Sequence, residues 1–315
     1  MLAMLYLYTS RVEREIFRMY NDTMKNSFID CLKTDDLKRM YTSIFKRTES
    51  FEVEREMDIY NFSVKDCMNL LLHLNPKSIG HVGSLKSQFT KYIEWAIGKK
   101  LVGKNYWSLV SADEEFVRFS FAIRNIKNLD ELAKITESSL VVPYDKYVIY
   151  LLYMGIMGEN FSELAELKDV DVDRLNKVIK TPRQKNLTLI EPLLKNIGSS
   201  DYYEEKKQRD YSSQYFVKPF KTKHLIGSPI GYQHVHRVVQ KLNDSYNEQN
   251  PDSQRQFTPT TIWRSGLFFA MYKIELTKGA LVLDDYAYIS DLFGNKNTYS
   301  AYSRDYELYK EVFWK

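Results

Sequence analysis

Between residues 78 and 98 the apolar positions Ile79, Val82, Leu85, Phe89, Tyr92, Ile93 and Ala96 recur at intervals of three and four. Only a helix places such a set on one face, so the stretch predicts a long amphipathic helix with Gly98 as its C-cap. The run before it, Cys67, Met68, Leu70, Leu71, Leu72 and Leu74, follows a capping-box-like Ser63-Val-Lys-Asp66 and stops at Asn75-Pro76. Over residues 10–48 the apolar Val12, Ile16, Met19 and Tyr20 keep helical spacing among charges, and no strand-like alternation competes. Residues 1–110 are therefore expected to form a helical domain.

Residues 101–130 combine Gly103, Asn105, Trp107 and a mixed-charge stretch, and a linker is expected at 111–128. Beyond it, 129–136 predicts a short helix, and Pro143 opens an apolar one through Val148, Ile149, Leu151, Leu152 and Met154. The period then changes. Residues 177–180 and 186–190 are strand candidates on either side of 181–185, which reads as a hairpin. Residues 198–215 are polar and tyrosine-rich, expected as a loop with a short helix, and 232–242 predicts an amphipathic helix. The fold class that results is mainly α with a small antiparallel β-hairpin, with a second domain at 129–315.

Charge narrows the function classes. The 45 basic and 41 acidic residues leave a net +4, too balanced for the whole surface to trap a polyanion, so any nucleic-acid face must be local. Cys31 and Cys67 form no CxxC pair, which argues against a disulfide framework or zinc site and fits a reducing cytoplasm. His234 and His236 alternate without a third ligand nearby, so no metal and no cofactor are expected. The opening MLAMLYLY is too short to span a bilayer, and the charged stretch after it suits the start of an amphipathic helix; no membrane partner is expected.

Three short boxes, in order, carry a family resemblance. Gly158-Glu-Asn-Phe-Ser-Glu163-Leu164-Ala-Glu-Leu167-Lys-Asp-Val-Asp171-Val-Asp173 resembles the tyrosine-recombinase (phage integrase) box Gly-Leu-Arg-x-Ser-Glu-Leu-x-x-Leu-x-x-x-Asp-Ile-Asp. Thr258-Pro-Thr-Thr261-Ile-Trp-Arg264 resembles the family's His-x-x-Arg box, and Ile289-Ser-Asp-Leu292-Phe-Gly294-Asn295 its Ile-x-x-Leu-Leu-Gly-His box. NFSVKD and the helix after it are similar to the family's core-binding domain. The resemblance spans roughly residues 58–310 and implies a helical core-binding domain followed by a recombinase-like domain.

The same resemblance implies a damaged reaction centre. Tyrosine attack on a phosphodiester builds negative charge, which the family neutralises with two arginines and histidine or lysine donors. Here the first arginine falls on Asn160, or on Met157 in a shifted alignment. The box histidines become Thr261 and Asn295, and Arg264 alone matches. Lys185, with Lys180 second, is the candidate for the hairpin lysine. The motif count to the nucleophile lands on Arg304, between Tyr302 and Tyr306, and a small insertion would select Tyr306. No catalytic residue is therefore expected.

The resemblance further implies a two-domain clamp around double-stranded DNA. Candidate contacts on the first domain are Lys86, Lys91, Lys99, Lys100 and Lys104. On the second they are Arg183, Lys185, Lys218, Lys221, Lys223, His224 and Arg264, with Gln233, His236 and Arg237 placed to read bases. The pattern is similar to integrase-like proteins of temperate Bacillus phages. It suggests a cytoplasmic, nucleoid-associated repressor of transcription that binds operator sites and maintains lysogeny. A divergent active recombinase and an accessory architectural or interaction module are the alternatives. The C-terminal YELYKEVFWK is read as packing within its own chain, with exchange into a neighbouring copy as the alternative; a phage regulatory protein is a further candidate partner.

Overall fold

A computed structural model describes residues 19–76, 78–139, 141, 143–181, 185–186, 209–210, 212–220, 227–251, 254–294 and 302–315. The amino-terminal residues 1–18 lie outside that set, as do Arg183, Lys221, Lys223, His224 and Asn295. The chain divides into two compact units, Met1–Ser120 and Phe121–Lys315. Residues 111–128, expected as a linker, contain a helix, and the division falls inside it.

The first unit holds α1 (Asp22–Asp30), α2 (Asp35–Arg55), α3 (Val64–Leu74) and α4 (Ile79–Gly98). It closes with a 3-10 turn at Tyr106–Leu109 and leads into α5 (Glu114–Ala122). Helix α3 begins with the expected capping box between Ser63 and Asp66, and Asn75 ends it in a left-handed conformation. Helix α4 buries Val82, Leu85, Phe89, Tyr92, Ile93 and Ala96, six of the seven apolar residues that predicted it; Ile79 stays exposed. Aromatic rings fill the core, with Phe28 edge-on to Tyr41 at 4.8 Å and Phe45 edge-on to Tyr92 at 4.8 Å.

Helix α4 ends differently from the expectation. Gly98 is its last helical residue, Lys99 is the C-cap, and Lys100 takes the left-handed conformation at φ 58°. The Leu101 amide bonds the Ala96 carbonyl and the Lys100 amide bonds that of Ile97, which is a Schellman closure with lysine where glycine is usual.

The second unit comprises α6 (Leu129–Glu137), α7 (Pro143–Tyr153), the single turn α8 (Ser162–Ala165), α9 (Tyr232–Gln249), α10 (Pro259–Lys278), α11 (Leu283–Leu292) and α12 (Ser303–Phe313). Helix α7 runs through the middle of the core, with Tyr147 to Leu152 almost wholly buried. Helix α10 crosses it so closely that a Cβ on Gly266 would lie 1.7 Å from the Tyr153 carbonyl oxygen. Helix α9 reaches Gln249, seven residues past the sequence-based end, because its buried face continues beyond Leu242 through Ser245 and Tyr246, the latter packed against the core.

A three-stranded antiparallel sheet, in order β1-β2-β3, lies between α8 and α9 in the chain. Strands β2 (Val178–Ile179) and β3 (Lys185–Asn186) form the expected hairpin, with Val178 opposite Asn186 and Ile179 opposite Lys185. Lys185 thus sits in the strand and not in the turn, and residues 187–190 lie outside the described set. Strand β1 (Val172–Asp173), which pairs with β2, was not anticipated. The described part of 198–215 turns at Ser212 and is tied by the isolated bridges Arg209–Phe220 and Lys168–Tyr215.

Helix α12 packs within its own unit. Tyr306 and Tyr309 enter the core, Trp314 stacks on Tyr272 at 4.2 Å, and the Tyr309 hydroxyl donates to the Lys127 carbonyl.

Candidate nucleic-acid interface

The start of α10 is set by local chemistry. Thr258 is its N-cap and Pro259 follows, while the Thr258 and Thr261 side chains each accept from the other's amide, at 3.1 and 2.8 Å. Thr261, expected from the box resemblance at the histidine position, is therefore occupied as a helix cap. One turn on, Trp263 packs edge-on to Phe293 at 5.9 Å and fixes the rotation of the helix. That places Arg264 at the surface with its side chain 32% exposed. Its Nη1 lies 3.7 Å from the Asp305 carboxylate, too long for a hydrogen bond, and its buried Nε has no hydrogen-bond partner. The guanidinium is therefore part-exposed and ion-paired with Asp305, and its orphaned Nε is turned away from solvent.

Tyr306 is arranged in the opposite sense. It is 1% exposed, and its hydroxyl donates to the Glu275 carboxylate, on which Lys310 Nζ also closes at 3.0 Å. Burial, then the Glu275 carboxylate, push the phenol far above the ordinary tyrosine range. Glu275 stands eleven residues beyond Arg264 on the same helix, which is about three turns. The phenol oxygen is thus held away from the arginine that would have to share a phosphate with it. Tyr302, the other candidate, is buried in the same cluster beside Trp263.

The first-arginine position carries no charge and unusual backbone. Asn160 is exposed at φ 50°, and Phe161 follows at φ 65°. Gly158 precedes them at φ 71°, where a Cβ would meet the Glu163 amide at 2.6 Å. Two consecutive left-handed residues other than glycine are costly. Phe161 holds them by stacking under Tyr232 at 5.1 Å and meeting His236 at 5.4 Å. Met157 is half-buried against both core clusters of this unit.

Two lysines expected at phosphates are committed elsewhere. Lys218 is buried, donating to the Asp169 carboxylate and to the Ser213 carbonyl at 2.9 Å, so it ties the irregular 212–220 segment to the turn before β1. Lys86 donates to the Val110 carbonyl and holds the end of the first unit's 3-10 turn. By contrast Lys91, Lys99, Lys100 and Lys104 are exposed, as are Gln233, His236 and Arg237 on α9, where Arg237 reaches Gln233 at 3.4 Å. Only the backbone of Lys185 is described.

The sequence reading missed Arg209. It is buried, bonded to Asp145 at 2.7 Å and to the Lys218 carbonyl at 2.8 Å, with Phe220 stacked on its guanidinium at 4.4 Å. His234 Nε2 lies 3.0 Å from the same Asp145 oxygen. Burial alone would raise the Asp145 carboxyl; the His234 hydrogen bond and the Arg209 charge outweigh it and hold the group below its usual range. Arg209 falls in a stretch read as a polar loop, and no spacing ties it to Asp145, 64 residues away. Among the described residues no group of three acidic, histidine or cysteine side chains could hold a metal, and no helix is long and apolar enough to cross a membrane.

Comparison with known proteins adds to this geometry. Residues 19–99 match the family described as MrpR, N-terminal core-binding domain. Over 166 residues the chain is 29% identical to the SPbeta prophage-derived uncharacterized protein YopR of Bacillus subtilis (strain 168), a match covering 52% of this chain and half the length of that protein. Among solved structures, the Tn1549 transposon integrase in complex with circular intermediate DNA is similar at 14% identity and a TM-score of 0.36, covering 90% of this chain and 94% of that one. The same integrase in complex with transposon right end DNA gives 14% identity and a TM-score of 0.33, covering 93% and 94%. Residues 19–99 of the chain are thus similar to the MrpR N-terminal core-binding domain.

Proposed function

We propose that this protein binds specific double-stranded DNA sites without cutting them, as a prophage-type transcriptional repressor that maintains lysogeny. The observation that carries the reading is the separation of roles between Arg264 and Tyr306. Arg264 stands part-exposed at the start of α10, ion-paired with Asp305 at 3.7 Å, while the Tyr306 hydroxyl is buried and locked onto Glu275. Cleavage would need both groups, with further donors, on one phosphate. Loss of a single preorganised donor costs on the order of 100- to 1000-fold in rate, and Asn160 and Thr261 supply none of the charge the chemistry needs. Binding has no such requirement, since phosphate contacts give affinity and a few base contacts give sequence choice. The core-binding family match and the prophage relative support the same reading. We further assign DNA contact to both units and place the protein's site of action on the bacterial nucleoid.

The test is the ratio of specific to nonspecific affinity, measured by fluorescence anisotropy with duplexes enriched by the full-length protein from a random-sequence pool. An operator-binding role predicts a ratio of at least about 1000 at physiological salt. A ratio near one removes that role and leaves an architectural module.

A further inference from the structure

We infer that the segment from Lys99 to Leu109 is a DNA-bending element, in which lysines grip phosphates and Leu109 is the apolar wedge; the inference rests on the DNA-binding reading above. Between Trp95 and Ala112 the sequence contains no aspartate or glutamate, and it carries Lys99, Lys100 and Lys104. All three lysines are exposed, and none has an ion pair among the described residues. The acids resume at Asp113, where they cap and begin α5.

The same segment exposes large apolar side chains. Leu109 is 67% exposed, Leu101 38% and Tyr106 37%. They stand on a firm base. Trp107 is fully buried and lies on Phe89 at 4.5 Å, the Asn105 side chain caps the turn by accepting from the Trp107 amide at 3.0 Å, and Lys86 holds the Val110 carbonyl. A leucine held out on a rigid turn among unpaired lysines fits one chemistry best, a polyanion with an apolar interior that can be opened. In DNA, apolar side chains inserted between base steps unstack them and kink the duplex, while nearby cations hold the flanking phosphates.

Lys100 adds an independent observation. Its left-handed backbone is the position glycine takes at no steric cost, so lysine is kept there against conformational preference. A cation at a helix C-terminus also favours the helix dipole, and the two explanations part on substitution. If the charge serves the helix alone, replacing it leaves DNA binding untouched. If it serves DNA, Lys100→Gly relaxes the backbone and weakens binding together.

The experiment uses full-length protein and enriched duplexes of about 30 base pairs, short against the persistence length, labelled at both ends for energy transfer. Wild type is expected to shorten the end-to-end distance on binding. Leu109→Ser is expected to bind within about ten-fold of wild type and to lose most of that shortening. Lys100→Gly is expected to melt at or above wild type and to lower the slope of log affinity against log salt by about one. Failure to enrich any duplex overturns the DNA-binding reading itself. Binding without bending, bending retained by Leu109→Ser, or an unchanged salt slope in Lys100→Gly overturns this inference while leaving that reading in place. Binding of anionic vesicles that is lost in Leu109→Ser, with DNA bending unaltered, assigns the segment to a lipid surface and equally overturns it.

Discussion

Lys25 and Glu52 form a fully buried ion pair in the first unit, and the acid is not left to the lysine alone. Glu52 also accepts from Thr48 Oγ1 at 2.7 Å and from the Ile59 amide at 3.2 Å. Asp58, in the same pocket, accepts from Asn21 at 3.0 Å and from the Tyr92 hydroxyl at 3.2 Å. Two carboxyls thus share one lysine away from water. Burial, with Asp58 adding to it and Lys25 opposing it, pushes Glu52 up to about 7, and Asp58 is raised as well. A carboxyl raised in the folded state binds more protons there than in the unfolded chain. Stability is therefore greatest below the ordinary glutamate range and declines as pH rises toward 7. Urea melts of the wild type between pH 5 and pH 7.5 are expected to show that decline. Glu52→Gln, a neutral side chain at every pH, should reduce that slope, with the remainder carried by Asp58. A wild-type curve that is flat or rising over the window contradicts the assignment.

At this scale the sequence was informative about residue type and poor about commitment. Box spacing singled out Arg264, but not that Asp305 would pair with it. Spacing could not separate Lys218 and Lys86 from the exposed lysines, because their partners lie 49 and 24 residues away and are chosen by tertiary packing. Tyr306 was legible as a position, but its hydroxyl contact with Glu275 depends on how α12 lies against α10.

Helices whose apolar faces are long were legible, and α4 and α9 differ from expectation only at their ends. Short elements were not. Strand β1 is two residues long and has too little alternation to announce itself, and Lys100 occupies a turn position that lysine does not advertise. Glycines within the helices give an element-scale test with opposite signs. At Gly83, inside α4, a Cβ would meet nothing within 4 Å, so Gly83→Ala should stabilise by about 0.5–1 kcal/mol through helix propensity. At Gly266 the same propensity gain is overwhelmed by overlap with the Tyr153 carbonyl, and Gly266→Ala should destabilise by about 1–3 kcal/mol or more. Thermal melts of the two variants read both signs. A neutral or stabilising Gly266→Ala would mean that α7 and α10 are not pressed together as described.

Across the whole molecule, a first unit whose residues 19–99 are similar to the MrpR N-terminal core-binding domain is followed by a helical unit in which Arg264 is part-exposed and Tyr306 is buried. The helices and the hairpin were legible from apolar spacing and from the two strand candidates, while which groups face outward is a property of packing. The central claim is that binding has been kept and cleavage has not. The most direct test incubates full-length protein with a nicked suicide duplex carrying its enriched site and separates the products under denaturing conditions. We predict a stable sequence-specific complex before denaturation and no covalent protein–DNA adduct after it; an adduct that forms with wild type and disappears in Tyr306→Phe would contradict the account.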